Sequence, residues 1–289
     1  MSDREPIRIP PTDGYDARLH GERRRADRRR RNVRIAAVGD FHIGEEDAGA
    51  YRALFERANH DADVLLLAGD LTRRGTPVEM RTAVAELADV QIPIAAVLGN
   101  HDFEAGHQDE ACAILRDRGV RVLDGDAFQL NEWVGVAGAK GFIGGFGRGT
   151  LTSFGEPQTK SFVSASLDEV QKLEQGLQRI HTPIRIALLH YAPVMATVVG
   201  ESEQIYPFLG TDRLAEPLDR YEVSVAFHGH AHGGAFRGAT LGGVPVFNVS
   251  LPLLRKEGVG EMYFVYEIPI PEGAIASEPP IGVRSGATS

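Results

Sequence analysis

Short apolar runs alternate with amphipathic stretches along most of this chain. The runs at 33–38, 64–68, 94–98, 120–123, 134–137, 184–189, 223–227, 244–249 and 262–268 are rich in Val, Ile and Leu, and read as strands. Several are apolar on both faces, as expected of strands covered from both sides. Helical periodicity marks 48–58, 78–88, 109–118 and 167–180. In the last, Leu167, Val170, Leu173, Leu177 and Ile180 recur at helical spacing behind an "SLDE" start. The first half therefore alternates strand and helix, and the second half is richer in strands. That order predicts a layered α/β domain with a mixed sheet or two facing sheets.

The ends of the chain break this pattern. Residues 1–31 are rich in Pro, Gly and Arg without apolar periodicity, and 271–289 resemble a polar tail. We expect a flexible arm, a domain over 32–270 and a disordered tail. Residues 1–34 hold 11 arginines and 6 acids, whereas the remainder holds 20 basic and 34 acidic residues. The arm could contact nucleic acid, but so acidic a body is not expected to bind it in general, so a nucleic-acid partner is not favoured. No run reaches the ~20 apolar residues of a membrane span. The start shows no apolar signal region, and Cys112 is the lone cysteine, so a reducing cytoplasm is expected. Oligomeric state is not legible here.

Five apolar runs end in the same way. "IAAVGDFHIG" delivers Asp40 and His42, and "VLLLAGDLTRRG" delivers Asp70. "AAVLGNHD" delivers Asn100, His101 and Asp102; "RIALLHYAP" delivers His190; "VSVAFHGHAHGG" delivers His230 and His232. Taken singly, each could be a turn or a satisfied core histidine. Taken together, they place carboxylates, imidazoles and an amide at strand ends, where functional groups gather in layered α/β folds. Oxygen and nitrogen ligands without thiolate suit Mn²⁺, Fe or Zn²⁺ at a hydrolytic centre. Asp40, His42, Asp70, Asn100, His190, His230 and His232 outnumber the ligands of one tetrahedral site. They suit two divalent metals ~3.5–4 Å apart, Mn²⁺ first among the candidates.

The ordered set D-x-H, G-D, G-N-H-D, H and G-H-x-H resembles the calcineurin-like metallophosphoesterases over roughly residues 33–270. The resemblance implies a four-layered αββα sandwich, two mixed sheets flanked by helices, with the metals at the sheet edges. It implies that Asp40, His42, Asp70 and His232 hold one metal. Asp70, Asn100, His190 and His230 would hold the other, with Asp70 and a water or hydroxide bridging the pair. His101 would face the substrate and protonate the leaving oxygen, and Asp102 would orient its loop. The implied activity is hydrolysis of a phosphomonoester or phosphodiester, including nucleotides or cyclic nucleotides, by the bridging hydroxide. A nuclease, or a scaffold that binds metal without catalysis, are the alternatives.

The chain departs from some relatives. Ser/Thr protein phosphatases carry G-D-Y-V-D-R-G and G-N-H-E where this chain has "GDLTRRG" and "GNHD". Arg73 stands in place of the aspartate that supports the catalytic histidine there, leaving the partner of His101 open. Lipid A precursor hydrolases usually carry arginine at the His101 position. Bacterial cyclic-nucleotide phosphodiesterases match the motif set better. Arg74, Lys140 and Arg148 are candidate substrate-binding cations, the latter two on a Gly-rich loop, "AGAKGFIGGFGRGT", over 137–150. The stretch 198–220 could cap the site, with Tyr206 and Phe208 near a base or other apolar group.

Overall fold

The computed structural model describes residues 32–260 and 262–271. The expected arm and all but the first residue of the expected tail lie outside the described residues. Two sheets carry the domain. The first contains β1 (Asn32–Val38), β2 (Val64–Ala68), β3 (Ile94–Val97), β4 (Arg121–Val122) and, at the other edge, β11 (Phe264–Pro269), in the order β11-β1-β2-β3-β4. The second contains β5 (Asp126–Gln129), β6 (Val134–Gly138), β7 (Ile184–Leu188), β8 (Val225–His228), β9 (Arg237–Ala239) and β10 (Pro245–Asn248), in the order β5-β6-β7-β8-β10-β9. Strands β1 to β4 are parallel, as are β6, β7, β8 and β10. The edge strands β11, β5 and β9 pair antiparallel.

The layering follows from side-chain alternation. In β7, Ile184, Ile186 and Leu188 join a core shared with the first sheet, including Ile35, Leu66 and Val97. The intervening Ala187, with Leu189 beyond the strand, points to a second core with Leu173, Leu177 and Leu218. Those leucines lie on the long helix α4 (Pro157–Gln178) and on α6 (Ala215–Arg220). Helices α1 (Arg52–Asp61), α2 (Pro77–Glu86) and α3 (Gln108–Asp117) bring Phe55, Met80 and Leu115 to the first core. The result is the expected four-layered αββα sandwich. Helix α5 (Tyr206–Leu209) is a single turn, and α7 (Leu251–Glu257) ends at Gly258, whose φ of 66° suits a left-handed stop.

Local sequence accounts for the start of α2, whereas the starts expected at 48 and at the "SLDE" stretch both move, α1 beginning at Arg52. Thr76 caps α2: its hydroxyl accepts from Glu79 N–H at 3.2 Å, the Glu79 carboxylate reaches back to Thr76 N–H, and Pro77 opens the helix. The "SLDE" start is not a start. Helix α4 begins at Pro157, and Ser166 is buried inside it. The strands β5 and β9 were not expected either. Both are short sheet edges with few apolar residues, so they lack the run that marks a strand.

Candidate metal centre

Because the strands of each sheet's centre run parallel, their carboxyl ends share an edge, and all seven proposed ligands fall there. Four of them sit in the left-handed region: Asp40 (φ 62°), His42 (49°), Asp70 (50°) and His230 (70°). Only Glu222 shares that property among the other described non-glycine residues. Such backbone costs of order 1–3 kcal/mol per residue, and its concentration at one edge points to a site that the surrounding structure holds in place. Gly99 permits a close approach beside the site. A Cβ there would overlap the Asp70 carboxylate.

The two sheets are stitched together at this edge. Gly39 N–H donates across the sheets to Val249 C=O at 3.0 Å, while within the first sheet Asp40 N–H donates to Gly69 C=O at 2.9 Å. His190 is fully buried, and its Nδ1 lies 2.9 Å from Ala68 C=O. A carbonyl can only accept, so the proton sits on Nδ1 and the Nε2 lone pair is free. That Nε2 faces the Asn100 amide oxygen at 2.9 Å and Asp70 Oδ1 at 3.5 Å. His230 is held by the same logic: its Nε2 lies 3.1 Å from Phe208 C=O, leaving Nδ1 as the donor atom.

The donors fall into groups whose atoms lie within 4.8 Å of one another: Asp40, His42 and His232, and Asp70, His190 and His230. His232 Nε2 lies 3.0 Å from Asp40 Oδ1 and 3.4 Å from His42 Nε2. Asp70 spans the groups, with Oδ2 3.9 Å from His42 Nε2 and Oδ1 toward His190. His101 also falls within reach of His42 and Asp70. Its Nδ1, however, lies 2.8 Å from Arg73 C=O, so Nε2 is its one free nitrogen. The partner of His101 left open by the sequence is therefore a backbone carbonyl.

The electrostatics suit cations. Burial, with Asp40 and Asp102 nearby, pushes the Asp70 carboxyl up to about 9. Burial also opposes charge on Asp40, but the His232 bond and three neighbouring imidazoles outweigh it and hold that carboxyl low. Burial drives His42 down to about 4, His190 well below its usual value, and His230 down. These imidazoles are neutral and available as ligands. His232 moves the other way: its contact with Asp40 outweighs the burial cost. Desolvated carboxylates among neutral imidazoles and one amide oxygen form a donor set that divalent metals fit.

Around the donors lies a second layer of contacts. Asp102 is fully buried. Its carboxylate accepts from Thr72 N–H (2.9 Å), Thr72 Oγ1 (2.6 Å), Gly99 N–H (2.9 Å) and Leu71 N–H (3.3 Å), locking the loops after β2 and β3 together. Three further contacts escaped sequence reasoning. Glu201 accepts from Gly233 N–H at 2.5 Å, Asn248 donates to Ala231 C=O at 2.7 Å, and His228 meets Thr197 Oγ1 at 2.8 Å. All three brace the loop bearing His230 and His232. His228 is buried and committed to that bracing.

The candidate substrate cations are not gathered with the ligands. Arg74 is exposed, its N–H donating to Glu79 at 2.9 Å, and no contact joins its guanidinium to the cluster among the described residues. Arg148 is exposed on a short 3₁₀ turn, and Asp212 accepts from the neighbouring Gly147 N–H at 2.6 Å. Lys140 is half-buried beside Tyr191, and its carbonyl accepts from His190 N–H at 3.0 Å. The 198–220 stretch does reach the centre through the Phe208 carbonyl. The Phe208 ring is 58% exposed, whereas Tyr206 packs inward on Leu209 and Ala231.

Comparison with known proteins agrees with this architecture. The calcineurin-like phosphoesterase family model matches residues 33–234. An "Uncharacterized metallophosphoesterase" of Aquifex aeolicus is 30% identical over 112 residues, 37% of this chain and 41% of that protein. A "Probable cyclic nucleotide phosphodiesterase" of Vesicomyosocius okutanii is 24% identical over 214 residues, 71% of this chain and 80% of that protein. The crystal structure of phosphopantetheinyl hydrolase from Mycobacterium tuberculosis shares the fold, with a TM-score of 0.56 at 14% identity, covering 80% of this chain and 95% of that one. With the family model spanning most of the domain and the fold described above, the chain belongs to the calcineurin-like phosphoesterases.

Proposed function

We propose that this protein is a dinuclear, metal-dependent phosphoester hydrolase, with Mn²⁺ the first candidate metal. Asp40, His42, Asp70 and His232 would hold one ion, and Asp70, Asn100, His190 and His230 the other. The observation that carries this reading is the position of Asp70, whose two carboxylate oxygens face the two donor groups separately. When bound, such a pair of dications lowers the pKa of water between them and offsets charge on the phosphoryl oxygens.

The residues supply the rest. The Arg73 carbonyl accepts from Nδ1–H and orients the His101 ring, so that in its imidazolium form Nε2–H can pass a proton to the leaving oxygen as its bond to phosphorus breaks, leaving the ring neutral. Asp102 keeps the loops carrying Asp70 and His101 in register. The substrate is a phosphodiester or phosphomonoester, and the named relative favours a cyclic nucleotide over a nucleic-acid strand. A screen of Mn²⁺-reconstituted protein on nitrophenyl mono- and diesters, cyclic nucleotides and single-stranded DNA tests this. Hydrolysis of cyclic nucleotides is expected, and hydrolysis confined to DNA would favour the nuclease alternative. Inactivity on every ester, with metals bound, would leave the metal-binding scaffold.

A further inference from the structure

A cavity of about 260 Å³ opens beside the centre, lined in part by Leu98, Phe103, Asp124, Lys140, Glu169 and Lys172. Leu98 and Phe103 bracket, along the chain, the segment that carries Asn100 and His101. The exposed Asp109 also lines it, and its other charges are mostly paired. Lys172 binds Asp124 at 2.9 Å and Glu169 at 2.8 Å, and Glu169 also accepts from Gly141 N–H at 3.0 Å.

Lys140 is different. Its ammonium donates to the Gly141 carbonyl at 2.9 Å, and among the described residues no carboxylate lies within ion-pair distance of it. Three rings surround it: Phe142 at 4.8 Å, Tyr191 at 5.2 Å and Phe103 at 5.4 Å from centroid to nitrogen. Ring faces ease the burial of a cation but leave its N–H donors unused. Tyr191 links Lys140 to the metal centre, its ring 4.4 Å from that of His230. A half-buried ammonium with spare donors, one ring away from the ligands, is built to meet an anion.

We propose that this cavity is a subsite for a second anionic group on the alcohol side of the substrate, a carboxylate or a second phosphoryl, bound by Lys140. The assignment rests on the phosphoesterase reading above. It makes Lys140 a specificity residue: the scissile phosphoryl sits at the ligand cluster, and the leaving group extends past His101 toward Lys140. Burial already disfavours the free ammonium here, and an incoming anion offsets that cost.

Calorimetric binding to Mn²⁺-loaded protein tests the subsite with three probes: methyl phosphate, 3-phosphoglycerate and propane-1,3-diol bisphosphate. The two-anion probes should bind about tenfold or more tightly than methyl phosphate, as a charge-assisted bond implies. The difference between them identifies carboxylate or phosphoryl as the preferred group. In Lys140→Met the preference should fall to about threefold or less, and Lys140→Arg should recover part of it. Because the readout is a ratio within each variant, general loss of affinity cancels. A preference unchanged in Lys140→Met would overturn the subsite. So would a wild type that hydrolyses nitrophenyl esters without any preference for two anions. A wild type that neither binds methyl phosphate nor turns over any ester would defeat the phosphoesterase reading itself.

Discussion

His101 Nδ1 meets the Arg73 carbonyl at 2.8 Å, across 28 residues of chain. The contact keeps a proton on Nδ1, leaves Nε2 as the nitrogen that can exchange one with substrate, and sets the ring in a T-shaped contact with that of His42, 4.5 Å between centroids. It also uses no side chain at position 73. Arg73 points away, paired with Asp47 at 3.1 Å and with Glu46. In His101→Ala, kcat/KM on alkyl phosphoesters should fall about 10²–10⁴-fold, the usual worth of a positioned acid. Nitrophenyl esters, whose leaving groups need no proton, should lose distinctly less. Metal content should stay at the wild-type level. Equal losses on both ester types would make His101 a phosphate-binding group, and loss of metal would make it a ligand.

Asp102 never needs to touch substrate to matter. Four donors converge on its buried carboxylate. In Asp102→Ala those donors lose their acceptor, at about 1–3 kcal/mol for each one left unsatisfied. We expect the urea midpoint to drop by an amount equivalent to about 3 kcal/mol or more, with weakened metal affinity. Asp102→Asn keeps the shape and should lose less. An unchanged midpoint in Asp102→Ala would contradict the bracing role.

The metal-free protein should become less stable as pH rises from about 7 to about 9. Its Asp70 carboxyl, pushed up to about 9, keeps a proton that the unfolded chain releases near pH ~4. Below pH ~6.5 the buried His42, His190 and His230 act the other way, because the unfolded chain protonates them; above it Asp70 leaves the folded state with more bound protons, and stability falls toward pH 9. Mn²⁺ binding should displace the Asp70 proton. Calorimetry in buffers of different ionisation enthalpy should detect proton release on metal binding at pH 7, and thermal melts at pH 7 and pH 9 should converge once metal is added. A metal-free melt that rises toward pH 9 would show that Asp70 is ionised without metal.

The expected arm offers a simpler test. A chain starting at Asn32 retains the whole of β1 and its pairing with β11. It should fold, melt within a few degrees of the full chain and hydrolyse small esters at a similar rate. A collapse in folding would mean that residues 1–31 pack on the core.

Much of this was legible along the chain because the chemistry sits where apolar runs stop. Asp40, Asp70, Asn100, His190 and His230 each follow a buried strand by two or three residues, so a list of strand ends is nearly a list of donors. Legibility failed where no apolar run marks the element. The β5 strand, "DAFQ", and the β9 strand, "RGA", are edges with little to bury. The first turns of α4 are largely exposed and polar, so the helix was read as starting at its first regular apolar stripe, nine residues late at Ser166. It failed again where the partner is backbone or distant in sequence. Nothing in "GDLTRRG" shows that the carbonyl of Arg73, and not its side chain, holds His101. Nothing near His232 shows that Glu201 braces its loop through Gly233.

The most direct test is the metal count of Mn²⁺-reconstituted protein, measured by elemental analysis beside kcat/KM on a nitrophenyl diester for wild type and Asp70→Asn. A carboxylate facing both donor groups balances two dications, and a neutral amide cannot. Wild type should hold about two ions per chain, as a dinuclear centre requires, and Asp70→Asn should lose metal and turnover together. A wild type fully active with about one ion per chain, or an Asp70→Asn variant that keeps both ions and its rate, would contradict the two-metal account.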